Sequence, residues 1–308
     1  MLTGRALIVP SVATLVGLVL SASGCVISVD SPAFSAREEK RFACSGRPDL
    51  TVATFDGAIE IRAWNRPEVL VEVEKRARDE ARADLIKLKA EQTGNRIVVE
   101  VPRPLPVTPS DGFRFGSGGL LGYTGSSARL TVSVPHECNL VARTGDGAIT
   151  IERVAGQVEL HTADGTIRAS DLQGSLRAHT GDGSIRLVDV SGRADVDTED
   201  GGIQLTGTLT AVRARTGDGS VTVRAEPRSA ADEAWEIRTG DGTVTLELPD
   251  SLGAELDART NDGAVRIEGL AFSPVGEGDR RSARGAIGGG GNTLRVRTGS
   301  GTIYIRRF

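Results

Sequence analysis

From residue 139 to residue 225 apolar and polar positions alternate in short runs, and the runs break at regular places. Leu140/Ala142, Val158/Leu160, Leu176/Ala178, Ala194/Val196 and Val212/Ala214 stand four and two residues ahead of a Thr. Ile149/Ile151, Ile167/Ala169, Ile185/Leu187, Ile203/Leu205 and Val221/Val223 stand five and seven residues after one. Alternation with period two predicts strands with one buried face. Between the two runs lies T-x-D-G, beginning at Thr144, Thr162, Thr180, Thr198 and Thr216, with a spacing of 18 residues four times in succession. Further copies begin at Thr54, Thr239 and Thr260, and one at Thr298 has Ser300 in place of the Asp. A second turn signal, Gly156, Gly174 and Gly192, keeps the same period. Each unit reads strand, turn, strand, turn.

Two all-β architectures fit this pattern. In a parallel β-solenoid with 18-residue coils, residue i pairs with i+18. In an antiparallel hairpin meander, Asp-Gly forms two-residue turns. The constant period favours the solenoid, because stacked coils penalise any change of length and place like residues in columns. Asp146-Gly147, Asp164-Gly165, Asp182-Gly183, Asp200-Gly201, Asp218-Gly219 and Asp241-Gly242 are then structural corners, the Gly supplying a permissive backbone. Around the repeats, Arg82 to Lys87 reads as one helical turn and LKAEQTGNRIVVEV as a hairpin, together a small N-terminal cap. Residues 102–127 and 273–292, rich in Gly, Pro and Ser, read as flexible insertions. TIYIRRF, at the C-terminus, reads as the last coil, its aromatic side chains covering the end of the stack, with Ser300 the mark of a terminal repeat.

The segments LTVATFDGAIEIRAWNRPEVLVEVEK and ARLTVSVPHECNLVARTGDGAITIERVAG, followed by the run of DG repeats, resemble the bacterial "putative adhesin" family. Its members are β-strand-repeat domains of unknown function. The resemblance covers most of residues 42–308. It implies an extracytoplasmic, right-handed β-solenoid with no established enzymatic activity.

The first 25 residues read as a targeting segment. Arg5 precedes the apolar run Ala6 to Leu20, and SASGC leads to Cys25. Small residues followed at once by Cys resemble a bacterial lipobox, although Ala22 stands where Leu is usual. Residues 1–24 are then a lipoprotein signal peptide, Cys25 the lipidation site, and 25–41 a tether. An ordinary secretory signal and a short membrane anchor are the competing readings. By resemblance to lipoprotein sorting, Val26 points to the outer membrane. Export places the chain where disulfides persist, which makes Cys44 and Cys138 a candidate bridge.

Composition narrows the chemistry. With 37 basic and 41 acidic side chains the net charge is −4, which gives no footprint for nucleic acid. Aromatic residues make up only 4%, which suits a narrow core of small side chains. Three His and three Cys leave little for a zinc-type centre. A ladder of Asp one strand spacing apart needs compensation, because neighbours ~4.8 Å apart repel by about 0.9 kcal/mol in water. Turn N–H groups, the mostly basic column Arg143, His161, His179, Asp197, Arg215, Arg238, Arg259 and Arg297, and bound calcium are the three possible sources. Calcium takes 6–8 oxygen ligands and one Asp per coil supplies few, so no cofactor is expected. His161, His179 and Asp197 could form a metal face, but they read as a solvated outer column. No GxSxG, HExxH or P-loop sequence is present. The expectation is a non-enzymatic, lipid-anchored envelope protein with a structural or adhesin-like role toward another envelope protein or a surface glycan. The alternative is a solenoid enzyme acting on a polysaccharide.

Overall fold

The computed structural model describes residues 34–104, 126–276 and 279–308. One mostly parallel sheet winds through it. Thr162 lies beside Thr144 on one side and Thr180 on the other, and the column continues to Thr198 and Thr216. The pairing is parallel throughout this run, so the chain is a β-solenoid and the hairpin meander is excluded.

Each coil has two faces. After the T-x-D-G corner the chain runs along a first face, as in Ile149–Glu152, then rounds a second corner and returns along a second face, as in Ala155–Thr162. In Ile167–Thr180 and Ile185–Thr198 the two faces are joined in one 14-residue strand. The second corner is built from Arg153, Asp171 and Asp189 in the left-handed region (φ 62°, 53° and 55°), each three residues before Gly156, Gly174 or Gly192. Inward positions on both faces are buried, and most are Ile, Val, Leu or Ala. The 18-residue register slips to 17 between Val190 and Gly192, which face Gly207 to Leu209, and recovers at Arg193 beside Ala211.

The T-x-D-G phrase ties one coil to the next. Every Thr of the column is buried. Thr162 Oγ1 donates to the carbonyls of Gly145 and Gly147 on the preceding coil, both at 2.9 Å, and accepts from Gly165 N–H at 3.2 Å. Thr198 repeats this with Gly181 (2.8 Å), Gly183 (3.0 Å) and Gly201 (3.2 Å). The corner glycines answer a requirement other than backbone freedom: Gly147, Gly165, Gly183, Gly201, Gly219 and Gly242 are not left-handed. A Cβ on Gly201 would lie 1.9 Å from the carbonyl oxygen of Gly183, and on Gly242 2.0 Å from that of Gly219. The stacked backbones leave no space for a side chain.

Coil order departs from chain order at both ends. The strand Asp49–Thr54 lies between Arg96–Val101 and Asn139–Thr144, and Ile59–Trp64 lies between Ser127–Pro135 and Ile149–Glu152, so the coil that contains Arg96–Val101 and Ser127–Pro135 is the outer one. At the other end Thr293–Ser300 lies between Trp235–Thr239 and Ala254–Asp262, and Ile303–Arg307 lies between Val244–Leu248 and Val265–Glu268. The C-terminal coil is therefore inserted as the penultimate one, correcting its expected place at the end of the stack. Thr260 confirms the order by donating to Gly301 at 2.9 Å.

Antiparallel strands close the ends. Phe34–Ala43 pairs with Glu68–Ala77, which pairs with Ser127–Pro135. The expected tether thus gives way to a strand at Phe34; its charged residues, which hid it in the sequence, suit an edge strand (Lys75 Nζ to Glu38 Oε2, 2.8 Å). The helix Glu80–Leu85 is capped by Asp79, which accepts from Arg82 N–H at 2.8 Å, and Lys89–Thr93 forms the expected hairpin with Arg96–Val101. Most of 102–127 lies outside the described residues. The second expected insertion, 273–292, contains a strand instead: Ser282–Ile287 pairs antiparallel with both Ala254–Asp262 and Phe272–Pro274.

Candidate functional site

On the second face the outward residues of successive coils line one trough of roughly 810 Å³. It crosses the strands, from Asp49 and Arg96 past Ser175 to Thr293 and Arg295. Strand alternation puts these side chains outward while Leu140, Leu176 and Trp235 point inward. Trp235 is 1% exposed and donates its indole N–H to the Thr210 carbonyl at 3.4 Å.

The trough walls are charged and largely paired. Arg143 meets Glu159 at 2.9 Å, Arg177 meets Asp195 at 3.6 Å, and Arg193 pairs with Glu233. Glu236 receives Arg215 at 3.0 Å and Arg238 at 2.5 Å. Burial alone would raise its pKa, but the Arg215 hydrogen bond and the charges of Arg238, Arg215 and Arg213 hold it below the usual carboxylate range. Asp257 behaves alike: Arg297 and Arg284 outweigh its burial and keep its carboxyl low.

The basic column foreseen beside Thr is present, but it pairs with acids two positions earlier on its own face, such as Glu159, Glu236 and Asp257, rather than with the corner Asp column. Asp146, Asp164, Asp182, Asp200, Asp218 and Asp241 project into solvent, where water weakens their repulsion. Backbone groups tie their corners: the N–H of Asp218 donates to the Glu199 carbonyl at 3.3 Å, and that of Asp241 to Gly217 at 3.1 Å. Asp56 is less exposed, and burial together with the charge of Asp146 raises its pKa. Among the described residues no group of three or more His, Cys, Asp or Glu gathers to hold a metal. His161 and His179 stack with ring centroids 4.9 Å apart, and His179 Nδ1 lies 3.7 Å from Asp197. Burial, His179 and Arg143 lower the pKa of His161.

Cys44 and Cys138 are free thiols, so the expected bridge is not formed. Cys138 is buried, and desolvation, with Cys44 nearby, pushes its thiol up to about 12. Cys25 lies outside the described residues. Sequence reasoning missed Glu236 and Asp257, each of which draws arginines from other strands as well as the one two residues further along its own.

Fold and surface together define a β-solenoid repeat protein that presents one long charged trough. The chain belongs to the Toastrack DUF4097 family, a domain of unknown function, which matches residues 48–306. Among solved structures it is similar to a putative adhesin from Bacteroides fragilis, at 10% identity over 90% of this chain and 99% of that one, with a TM-score of 0.47. It is similar to a putative lipid binding protein from Parabacteroides distasonis at 12% identity, over 87% and 96% of the two chains, with a TM-score of 0.42. A putative cell adhesion protein from Clostridium sporogenes matches at 15% identity over 89% and 100%, with a TM-score of 0.29. No curated protein matches the chain.

Proposed function

We propose that this chain is a non-enzymatic, adhesin-like binding protein of the cell envelope, held at the outer membrane by a lipid on Cys25. In this reading the second-face trough receives an extended ligand, carried by another envelope protein or a surface glycan. The trough is the observation that carries the proposal: it runs across the coils, the one direction in which a solenoid offers length. Its floor is continuous sheet, so the surface is preformed and binding costs little ordering. The polysaccharide-cleaving alternative needs a general acid whose pKa is raised. Glu236, in the trough wall, is displaced the other way.

A photo-cross-linker at Ser175, in the trough, is compared on intact cells with one at Thr222, on the first face. Capture of one species from Ser175 alone is expected; capture from Thr222 alone, or none from Ser175, rejects the trough as the binding face. Cys25→Ser is expected to move the protein from the membrane fraction to the soluble one. Retention in membranes would refute the lipid anchor.

A further inference from the structure

The C-terminal half of the second face carries more guanidinium than carboxylate. Because the Thr298 coil is inserted between those of Thr239 and Thr260, Arg297 lies between Arg238 and Arg259. With Arg215 they form one column on four consecutive coils. The neighbouring column reads Arg213, Glu236, Arg295, Asp257. Six arginines against two carboxylates leave these columns with a formal charge of +4, in a chain whose net charge is −4.

The two carboxylates are oversubscribed. Glu236 is shared by Arg213 (3.8 Å), Arg215 (3.0 Å) and Arg238 (2.5 Å). Asp257 is shared by Arg259 (3.4 Å), Arg297 (2.5 Å) and Arg284 (3.3 Å) from the strand Ser282–Ile287. Arg295 stands between the two carboxylates in register, yet its guanidinium makes no ion pair or hydrogen bond among the described residues. Arg215 Nε is buried without an acceptor among the described residues. The patch ends at Asp195 and Asp197, which lie beside Arg213 and Arg215 and face Arg177 (3.6 Å) and His179 (3.7 Å) on their other side. Like charges held one strand spacing apart repel, and an arriving anion relieves that repulsion.

We propose that this patch binds a linear acidic polysaccharide, its carboxylates taken up in turn by the guanidiniums of Arg213, Arg295 and the four-arginine column; this rests on reading the trough as a binding surface. Arginine forks match carboxylates in a bidentate way. The concave trough, lined by Arg213, Glu236 and Arg295, admits a single extended chain, whereas a planar bilayer surface does not reach its floor. Single-stranded nucleic acid is bound by exposed aromatic platforms, and the Trp of this patch, Trp235, is buried.

The test titrates the full-length chain carrying Cys25→Ser, which has no lipid of its own to insert and needs no detergent, with polygalacturonate, uncharged dextran, single-stranded DNA and phosphatidylglycerol vesicles. Polygalacturonate is expected to bind, and to weaken about tenfold or more between about 20 and about 500 mM salt. Arg213→Glu with Arg295→Glu, both at exposed positions, is expected to weaken it by about tenfold or more with an unchanged melting temperature. Glu236→Gln, which releases three arginines, is expected to tighten it severalfold. Failure of polygalacturonate to bind at low salt, indifference to both variants, or tighter binding of DNA or vesicles overturns the proposal. If dextran binds instead and Ser175→Trp blocks it, the acidic ligand falls and the trough reading stands. If neither polymer binds and a cross-linker at Ser175 captures nothing, both fall.

Discussion

Thr198, Asp200 and Gly201 share one corner and carry unequal weight. Thr198 Oγ1 is buried between two carbonyls of the coil below. Thr198→Val keeps the shape and leaves those carbonyls short of a donor, so it should cost about 1–3 kcal/mol in urea unfolding. Gly201→Ala drives a Cβ into the Gly183 carbonyl at 1.9 Å and should cost about 3 kcal/mol or more. Asp200 is exposed, and Asp200→Asn should change stability by no more than about 0.5 kcal/mol. Equal losses from Asp200→Asn and Gly201→Ala would sink this account of the corner. The phrase was legible in the sequence as a turn, but the division of labour within it was not. An Asp-Gly pair looks the same whether the Gly serves its own φ or makes room for the neighbouring coil.

Among the elements, the C-terminal coil is the informative one. Thr293–Ser300 and Ile303–Arg307 are paired on both edges, by Trp235–Thr239 and Val244–Leu248 below and by Ala254–Asp262 and Val265–Glu268 above. A chain ending at residue 292 loses both sets of pairings at once. Trp235, beside Leu294 and 1% exposed, should then shift its fluorescence to the red, while Trp64, at the opposite end of the stack, should not. Unchanged Trp235 emission would contradict the inserted position. In the sequence, Ser300 and the closing aromatic residues pointed to a terminal coil, because chain order is the only order a linear text offers. Phe34–Ala43 was missed for a related reason: an edge strand has no clean apolar stripe to reveal it, and its partner Glu68–Ala77 is remote in sequence.

For the whole molecule, the arginine-rich face makes stability depend on acid. Glu236 and Asp257 titrate below their ordinary values of 4.5 and 3.8 in the folded state. Unfolded, they bind protons at the ordinary values, so their contribution is complete above those values. It declines as pH falls through them and is gone below the lowered folded ones. The melting temperature should therefore drop between about pH 5 and about pH 3, and Glu236→Gln should flatten that drop. An identical slope in the variant would remove Glu236 from the account. Both carboxylates are partly open to solvent, which limits the size of the effect.

The strands, their buried faces, both corners and the 18-residue period were legible because they are local. Alternation follows from the pleat, and a coil of fixed length must repeat its turn residues in step. What only the tertiary structure decided is which coil lies beside which. Coils of similar cross-section offer compatible edges, so the pairing of Thr298 with Thr239 and Thr260 leaves no trace in the spacing of the repeats. That choice brings Arg297 between Arg238 and Arg259, turning scattered arginines into one charged column on the face of the trough.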